Sequence, residues 1–124
     1  MRWAVLHVDL EPIIGHEQGG ARRALVVSYE PVHRSGRATI CPITAAREKA
    51  TYPNEVEIPV GEGGQTKAGV ILCHQMRTIS LLRVSPSGRV AYVTSALIRS
   101  QVRMALTHHL GLDIPNASDG ALTG

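Results

Sequence analysis

Residues 15–28 read GHEQGGARRALVVS, and this stretch decides the fold of the chain around it. A polar, glycine-rich segment passes through Arg22 and Arg23 into a short apolar run, residues 24–28. A continuous apolar run after turn residues is typical of a strand covered on both faces. Because the two arginines come directly before that strand, we predict that they lie at its mouth, where a guanidinium can donate to an anionic ligand.

Strands are predicted on both sides of this stretch. Residues 4–10 alternate apolar and polar side chains, as a half-buried strand does, and residues 11–22 contain Pro12 and three glycines of a long loop. Residues 38–43 form the third strand, in which Pro42 indicates a sheet edge or a bulge because proline has no amide hydrogen to donate. After a turn region at residues 29–36 and this third strand, the remaining predicted strands span residues 56–60, 69–74, 79–84 and 90–93, the last two as arms of a hairpin.

One helix is predicted late in the chain. Ser95 or Thr94 can cap its start and Gly111 its end, with Arg99 and Arg103 on the face turned away from the core. The residues at core-facing helical spacing are Ile98, Val102, Ala105, Leu106 and His109. Five to seven short strands and one helix predict a mainly β fold, a small and mostly antiparallel barrel-like domain with one C-terminal helix.

The chain has 124 residues, which is most simply one domain. We predict that this domain spans residues 1–113 and that residues 114–124 form a disordered tail, because they are polar and lack periodicity. The formal net charge of +3 permits an RNA partner and equally fits an ordinary basic surface. With one Trp, three Tyr and no Phe, the chain is poorly equipped to bind RNA by base stacking, so cationic contacts should dominate.

Cysteine and histidine spacing argues against a metal site. Cys41 and Cys73 lie in apolar runs and form no CxxC pair, which predicts two buried, reduced thiols in a cytoplasmic protein. No signal peptide is apparent and no stretch approaches 18 apolar residues, so no membrane association is predicted. The histidines show neither HxxxH nor HExxH spacing, so a metal hydrolase has little support and no cofactor is expected.

Several polar residues at predicted strand ends could carry chemistry. Arg22 and Arg23 suit a phosphate, and the Thr44 hydroxyl could donate to a phosphate oxygen. In the segment CHQMRT, His74 could move a proton, and Gln75 could hydrogen-bond a base. Each residue also has a plain structural interpretation: solvated arginines, a threonine that ends a strand, and a polar loop that satisfies its own backbone.

Five motifs in a fixed order resemble the MazF/PemK/Kid family of toxin endoribonucleases. They are VDLEP at residues 8–12, GHEQGGARRALVVS, CPIT at residues 41–44, YPNEV at residues 52–56 and HQMRTIS at residues 74–80. The resemblance covers about residues 4–110. It implies a compact SH3-like β-barrel that forms a homodimer and is neutralised by an antitoxin with an acidic segment.

The resemblance also implies a reaction. Family members cut single-stranded RNA at short preferred sequences without a metal: the 2′-hydroxyl attacks the adjacent phosphorus and leaves a 2′,3′-cyclic phosphate and a 5′-hydroxyl. By this resemblance Arg22 and Thr44 are catalytic, and His74 is the candidate for proton transfer at the position where the family usually has Asp. The substrate-binding residues are His16, Glu17, Gln18, Arg23, Gln75 and Arg77.

This chain departs from the family pattern at positions that bear on proton transfer. Arg23 stands where the family has Pro, His74 where it usually has Asp, and Leu72 where some members have Arg. His74 could therefore act as acid or base in place of the Asp, or that role is absent. The alternative function is a catalytically impaired module of the same fold that binds RNA or an antitoxin.

Overall fold

The computed structural model describes residues 1–10, 21–86, 88 and 90–115. Along these residues, seven strands and two α-helices follow one another. The strands are β1 (Ala4–Asp9), β2 (Ala21–Val26), β3 (Arg37–Thr44), β4 (Glu55–Ile58), β5 (Gly69–Leu72), β6 (Arg77–Ser80) and β7 (Ala91–Tyr92), and the helices are α1 (Glu30–His33) and α2 (Ala96–Leu110). Within these residues no helix has the length and apolar character needed to cross a membrane. The predicted mainly β fold with a C-terminal helix is confirmed.

The strands form one antiparallel sheet in the order β4-β5-β3-β2-β1-β7, and β6 also pairs with β3. Strand β3 is central, so the predicted sheet edge at Pro42 is wrong. One edge of β3 pairs with β2. The other edge pairs with β6 up to Ile40 and with β5 from Ile43 onwards. Pro42 lies where β3 changes partner, a place where a missing amide hydrogen interrupts no ladder.

Both faces of the central strands are buried, as the continuous apolar run predicts. On one face Val5, Leu25 and Cys41 belong to a core cluster that includes residues of α2. On the other face Leu6 and Val26 belong to a second cluster, which is completed by Ile40 and its neighbours. Successive residues of a strand point to opposite faces of the sheet, so the cluster to which a side chain belongs shows on which face it lies.

The structure corrects several predicted boundaries. Strand β2 begins at Ala21, so Arg22 and Arg23 lie within the strand and not at the end of a loop. The predicted loop over residues 11–22 otherwise falls outside the described residues. The hairpin of residues 79–84 and 90–93 is wrong, because β6 pairs with β3 and β7 pairs with β1. The turn region at residues 29–36 contains the single-turn helix α1, and the strand predicted to reach residue 74 ends at Leu72 in a 3₁₀ turn, Cys73–Gln75.

Helix α2 has the predicted caps. The Ser95 Oγ accepts a hydrogen bond from the Ile98 amide at 3.2 Å, and Gly111 takes the left-handed conformation that glycine favours, with φ of 67°. Its buried residues are Ile98, Val102 and Ala105, as the spacing predicts. His109 is exposed, so its placement on the core face is wrong. Residues 116–124 lie outside the described part, and the disordered tail stays a prediction.

Candidate functional site

Arg22 and Thr44 lie in the neighbouring strands β2 and β3, near the end of their ladder. The register sets Leu25 opposite Cys41 and Ala24 opposite Pro42. The ladder between β2 and β3 ends at Ala24 and Pro42, and the same register continued by two residues would set Arg22 opposite Thr44. By strand alternation both residues lie on the face of Ala24 and Pro42, so a guanidinium and a hydroxyl share one face at this end of the strand pair.

The backbone around Thr44 is closely packed. Thr44 is 8% exposed, and its Oγ1 accepts a hydrogen bond from the Ala46 amide at 3.2 Å. Strand β5 passes so near that a Cβ at Gly69 would lie 2.5 Å from the Thr44 carbonyl oxygen. Only glycine fits there, so the approach of β5 fixes the position of Thr44.

His74 and Gln75 lie at the corner between β5 and β6, in the 3₁₀ turn Cys73–Gln75. Because β5 and β6 pair with successive parts of β3, this corner passes beside Pro42, two residues or about 7 Å along β3 from Thr44. His74 is half-buried, and its Nδ1 is buried with no hydrogen-bond partner in the described part of the chain. The structure thus places the backbone of His74 two residues along β3 from Thr44.

Arg77 shares the face of Arg22 and Thr44 but lies further along the sheet. It stands opposite Ile40, four residues or about 14 Å along β3 from Thr44. The backbones of the two arginines are therefore well separated along this face. A chain of several nucleotides could span that separation.

Arg23 is separated from Arg22 by the alternation of the strand. Its Nη2 donates to the carbonyl oxygens of Gly63 at 3.1 Å and Gly64 at 2.8 Å, on the face opposite Arg22. Thus Arg23 holds the turn that contains these two glycines. The structure does not bring it together with Arg22, Thr44 and Arg77. The remaining predicted ligands, His16, Glu17 and Gln18, lie outside the described residues, and their role stays a prediction.

The sequence interpretation missed an ion pair that orders the segment after Thr44. Arg47 donates to Glu55 Oε1 at 2.9 Å and also bonds Oε2, and its Nη1 contacts Thr51 Oγ1 at 2.8 Å. Hydrogen bonding to Arg47, reinforced by the Thr51 and Tyr52 amides, lowers the pKa of Glu55 to about 2. The only signal in the sequence was the acidic residue in YPNEV.

The cysteines are free and buried, as predicted. A hydrogen bond with Cys73, together with burial, raises the pKa of the Cys41 thiol. Across residues 1–10, 21–86, 88 and 90–115, no three His, Cys, Asp or Glu side chains are grouped so as to hold a metal ion. A cavity of about 950 Å³ opens between β4 and α2, but none of the predicted site residues lines it.

Comparison with known proteins identifies the family. Residues 1–110 match the model of the PemK-like, MazF-like toxin of type II toxin–antitoxin systems. The Endoribonuclease EndoA of Bacillus subtilis is 40% identical over 85 residues, which cover 68% of this chain and 73% of that protein.

Two crystal structures from Deinococcus radiodurans have the same fold. MazF has a TM-score of 0.70 and 31% identity and covers 89% of this chain and 94% of its own. A structure of MazE–MazF matches with a TM-score of 0.63 and 30% identity, covering 88% of this chain and 93% of the matched one. This chain therefore belongs to the PemK-like, MazF-like family of toxins of type II toxin–antitoxin systems.

Proposed function

We propose that this protein is the toxin of a type II toxin–antitoxin pair and acts as a sequence-selective endoribonuclease on single-stranded RNA. Family membership and the similarity to EndoA support the endoribonuclease activity. The observation that supports the proposal is that strand alternation puts Arg22 and Thr44 on one face of the sheet, two residues beyond the Ala24–Pro42 pair. A fixed cation beside a hydroxyl suits a phosphodiester.

The proposed reaction is an internal displacement at phosphorus. The 2′-oxygen forms a bond to the adjacent phosphorus and the bond to the 5′-oxygen breaks, which leaves a 2′,3′-cyclic phosphate and a 5′-hydroxyl. Negative charge grows on the non-bridging oxygens, where the Arg22 guanidinium and the Thr44 hydroxyl donate hydrogen bonds. Since Arg22 supplies the positive charge that this step needs, we propose that it proceeds without a metal ion.

Proton transfer is assigned to His74 in this proposal. One group must accept the proton of the 2′-hydroxyl and another must give a proton to the leaving 5′-oxygen. An imidazole titrates near neutral pH and can do either. His74 lies at the corner beside Pro42, about 7 Å along β3 from Thr44. Gln75 and Arg77 would hold the flanking nucleotides, and His16, Glu17 and Gln18 would border the substrate.

We further propose a homodimer in the cytoplasm, controlled by an antitoxin. The related structure of MazE–MazF supports such an assembly. An acidic segment of the antitoxin would compete with RNA for the face that carries Arg22 and Arg77. We also propose that the sheet closes into a barrel of the SH3-like type.

The second candidate is a binding module that has lost catalysis. Two observations favour it: Leu72 is apolar and buried in β5, and Nδ1 of His74 is buried. Such a module would bind RNA with the salt dependence of phosphate contacts and release no product.

One experiment separates the candidates. The purified protein is incubated with a long single-stranded RNA in EDTA, beside Arg22→Ala, His74→Ala and the exposed control Arg34→Ala, and the product ends are determined. We expect cyclic-phosphate and 5′-hydroxyl ends from the wild type and from Arg34→Ala, and none from Arg22→Ala. Intact RNA in every reaction, with salt-dependent binding retained, would overturn the nuclease and establish the binding module.

A further inference from the structure

Trp3 has an unusual backbone conformation. Its φ of 71° is the only positive φ of a non-glycine residue in the described part of the chain. A bulky side chain is rarely found in this left-handed region, because its Cβ crowds the following carbonyl. Trp3 is nevertheless 6% exposed and packed into the core cluster on the helix side of the sheet. Strain of this kind persists only where surrounding contacts hold it.

Three guanidinium groups surround the Trp3 ring. The Cζ atoms of Arg2, Arg99 and Arg103 lie 5.0, 5.5 and 5.8 Å from the ring centroid. These distances are within the range of cation–π attraction. Arg99 is also anchored by Nε, which donates to the Val93 carbonyl at 2.8 Å. We call Trp3, Arg2, Arg99 and Arg103 the Trp3 patch.

The acidic groups nearest in the fold are engaged elsewhere. Glu30 bonds the Met1 ammonium and accepts the Arg2 backbone amide at 3.0 Å. Glu62 accepts hydrogen bonds from the Thr94 amide at 2.8 Å and the Thr94 hydroxyl at 3.0 Å. Among the residues with described positions, no salt bridge joins the three arginines of the patch to a carboxylate. Glu62 is nevertheless close enough for the charge of Arg99 to help lower its pKa, so one carboxylate faces the three guanidinium groups without forming a salt bridge.

The Trp3 patch is distinct from the Arg22–Thr44 site. Trp3 directly precedes β1 and is five residues, or about 17 Å, from Val8, which pairs with Arg22. Trp3 packs on the helix side of the sheet, whereas Val8 belongs to the cluster on the opposite face. An RNA strand bound at Arg22 would have to pass around the sheet to reach the patch.

Apolar side chains continue the patch along α2. Positions 99, 103, 106 and 110 follow one face of a helix. Arg99 and Arg103 are therefore followed by Leu106, which is half-buried, and Leu110, which is 52% exposed. The surface changes from cationic to apolar within three turns.

We propose that the Trp3 patch binds a polypeptide segment that carries both carboxylate and apolar side chains. Guanidinium groups form planar, paired hydrogen bonds with carboxylates, and Leu110 offers apolar contact. RNA fits less well, because Trp3 is buried beneath the arginines and offers no face for a base to stack on. That the antitoxin supplies this segment rests on the proposed function, whereas the chemistry of the segment does not.

The test uses a short fluorescent peptide in which Glu and Leu alternate, with the Gln/Leu peptide as its uncharged counterpart. Binding to the full chain is followed by fluorescence anisotropy. We expect the Glu/Leu peptide to bind, and R99Q/R103Q to weaken that binding about tenfold, since two charge contacts are lost. R103Q alone, at an exposed position that leaves the Arg99–Val93 contact intact, should weaken it about threefold.

The matched control is R34Q/R37Q, which removes the same charge at two exposed positions away from the patch. It should bind the Glu/Leu peptide as the wild type does. Equal weakening in both double variants would overturn the proposal in favour of a net-charge effect. Oligo(dT) that binds tightly and loses affinity only in R99Q/R103Q would assign the patch to nucleic acid. RNA cleavage is assayed separately, so a protein that binds the peptide and cleaves no RNA refutes the proposed function alone.

Discussion

Arg47 hydrogen-bonds both carboxylate oxygens of Glu55, a residue that is 6% exposed. This ion pair joins the two ends of the segment that links Thr44 to β4. Glu55 Oε1 also accepts the amides of Thr51 at 2.9 Å and Tyr52 at 3.2 Å. One carboxylate therefore satisfies the backbone of the loop that begins at the candidate site. A buried group with this many partners is costly to leave incomplete.

Glu55→Gln should lower the free energy of unfolding by about 2–3 kcal/mol, because the neutral amide cannot accept the paired bonds from Arg47 and leaves donors unsatisfied. Urea unfolding monitored by circular dichroism measures this change. Glu48→Gln, at an exposed position in the same segment, is the control and should change it by less than about 0.5 kcal/mol. Equal stability of Glu55→Gln and the wild type would contradict the role of the ion pair.

The same ion pair sets a pH dependence. The pKa of Glu55 in the folded protein is about 2, below its ordinary value of 4.5. Because the folded pKa is lowered, the stabilisation is complete above about pH 5 and is lost as the pH falls from 4.5 towards 2. Unfolding free energies of the wild type should therefore fall more steeply over this range than those of Glu55→Gln. Parallel curves for the two proteins would show that Glu55 does not carry the linkage.

Arg23→Gln tests whether Arg23 has a structural role or binds the substrate. Its guanidinium holds the carbonyls of Gly63 and Gly64 on the face opposite Arg22. Arg23→Gln should lower the free energy of unfolding by about 1–2 kcal/mol, through lost charge-assisted hydrogen bonds. The KM for RNA, measured below the unfolding temperature, should stay within about twofold of the wild type. A raised KM with unchanged stability would instead make Arg23 a substrate ligand.

Gly69→Ala should disturb Thr44 from the neighbouring strand. The added Cβ would lie 2.5 Å from the Thr44 carbonyl oxygen, a backbone atom that can move only with β3. We expect a loss of more than about 2 kcal/mol in stability and a fall in RNA cleavage. Ala68→Ser, one residue earlier at a half-exposed position, is the control and should preserve both. Normal cleavage by Gly69→Ala would mean that Thr44 need not be held so closely.

Local patterns predicted most of the fold. The strand within residues 4–10, the caps at Ser95 and Gly111, and the apolar spacing of α2 depend on nearby residues, and the structure confirms them. The predicted half-burial of that strand is wrong, because Val5 is buried on one face of β1 and Leu6 on the other. The hairpin prediction failed because β6 and β7 find partners far along the chain, in β3 and β1. Pairing between strands that are far apart in the sequence depends on the whole sheet, so local sequence patterns say little about it.

The candidate site was predicted only in part, because some of its contacts also depend on residues far apart in the chain. Ordered motifs pointed to Arg22, Thr44 and Arg77, which the strand registers then place on one face. The opposite orientation of Arg23 could have been read from strand alternation had the start of β2 been placed at Ala21. The guanidinium cluster at Trp3 had no such signal, because it depends on how the first residues meet α2.

Thr44 provides the most direct test of the proposed chemistry. If its hydroxyl donates to the phosphate in the transition state, Thr44→Val should lower kcat by about 10²–10³-fold, the usual effect of removing one such donor. Thr44→Ser keeps the hydroxyl and should stay within about tenfold of the wild type. The hydroxyl also accepts the Ala46 amide at 3.2 Å, so Thr44→Val should lose only about 1 kcal/mol of stability, which urea unfolding can measure separately. If both variants lose activity in proportion to stability, Thr44 supports the strand end and does not contact the phosphate.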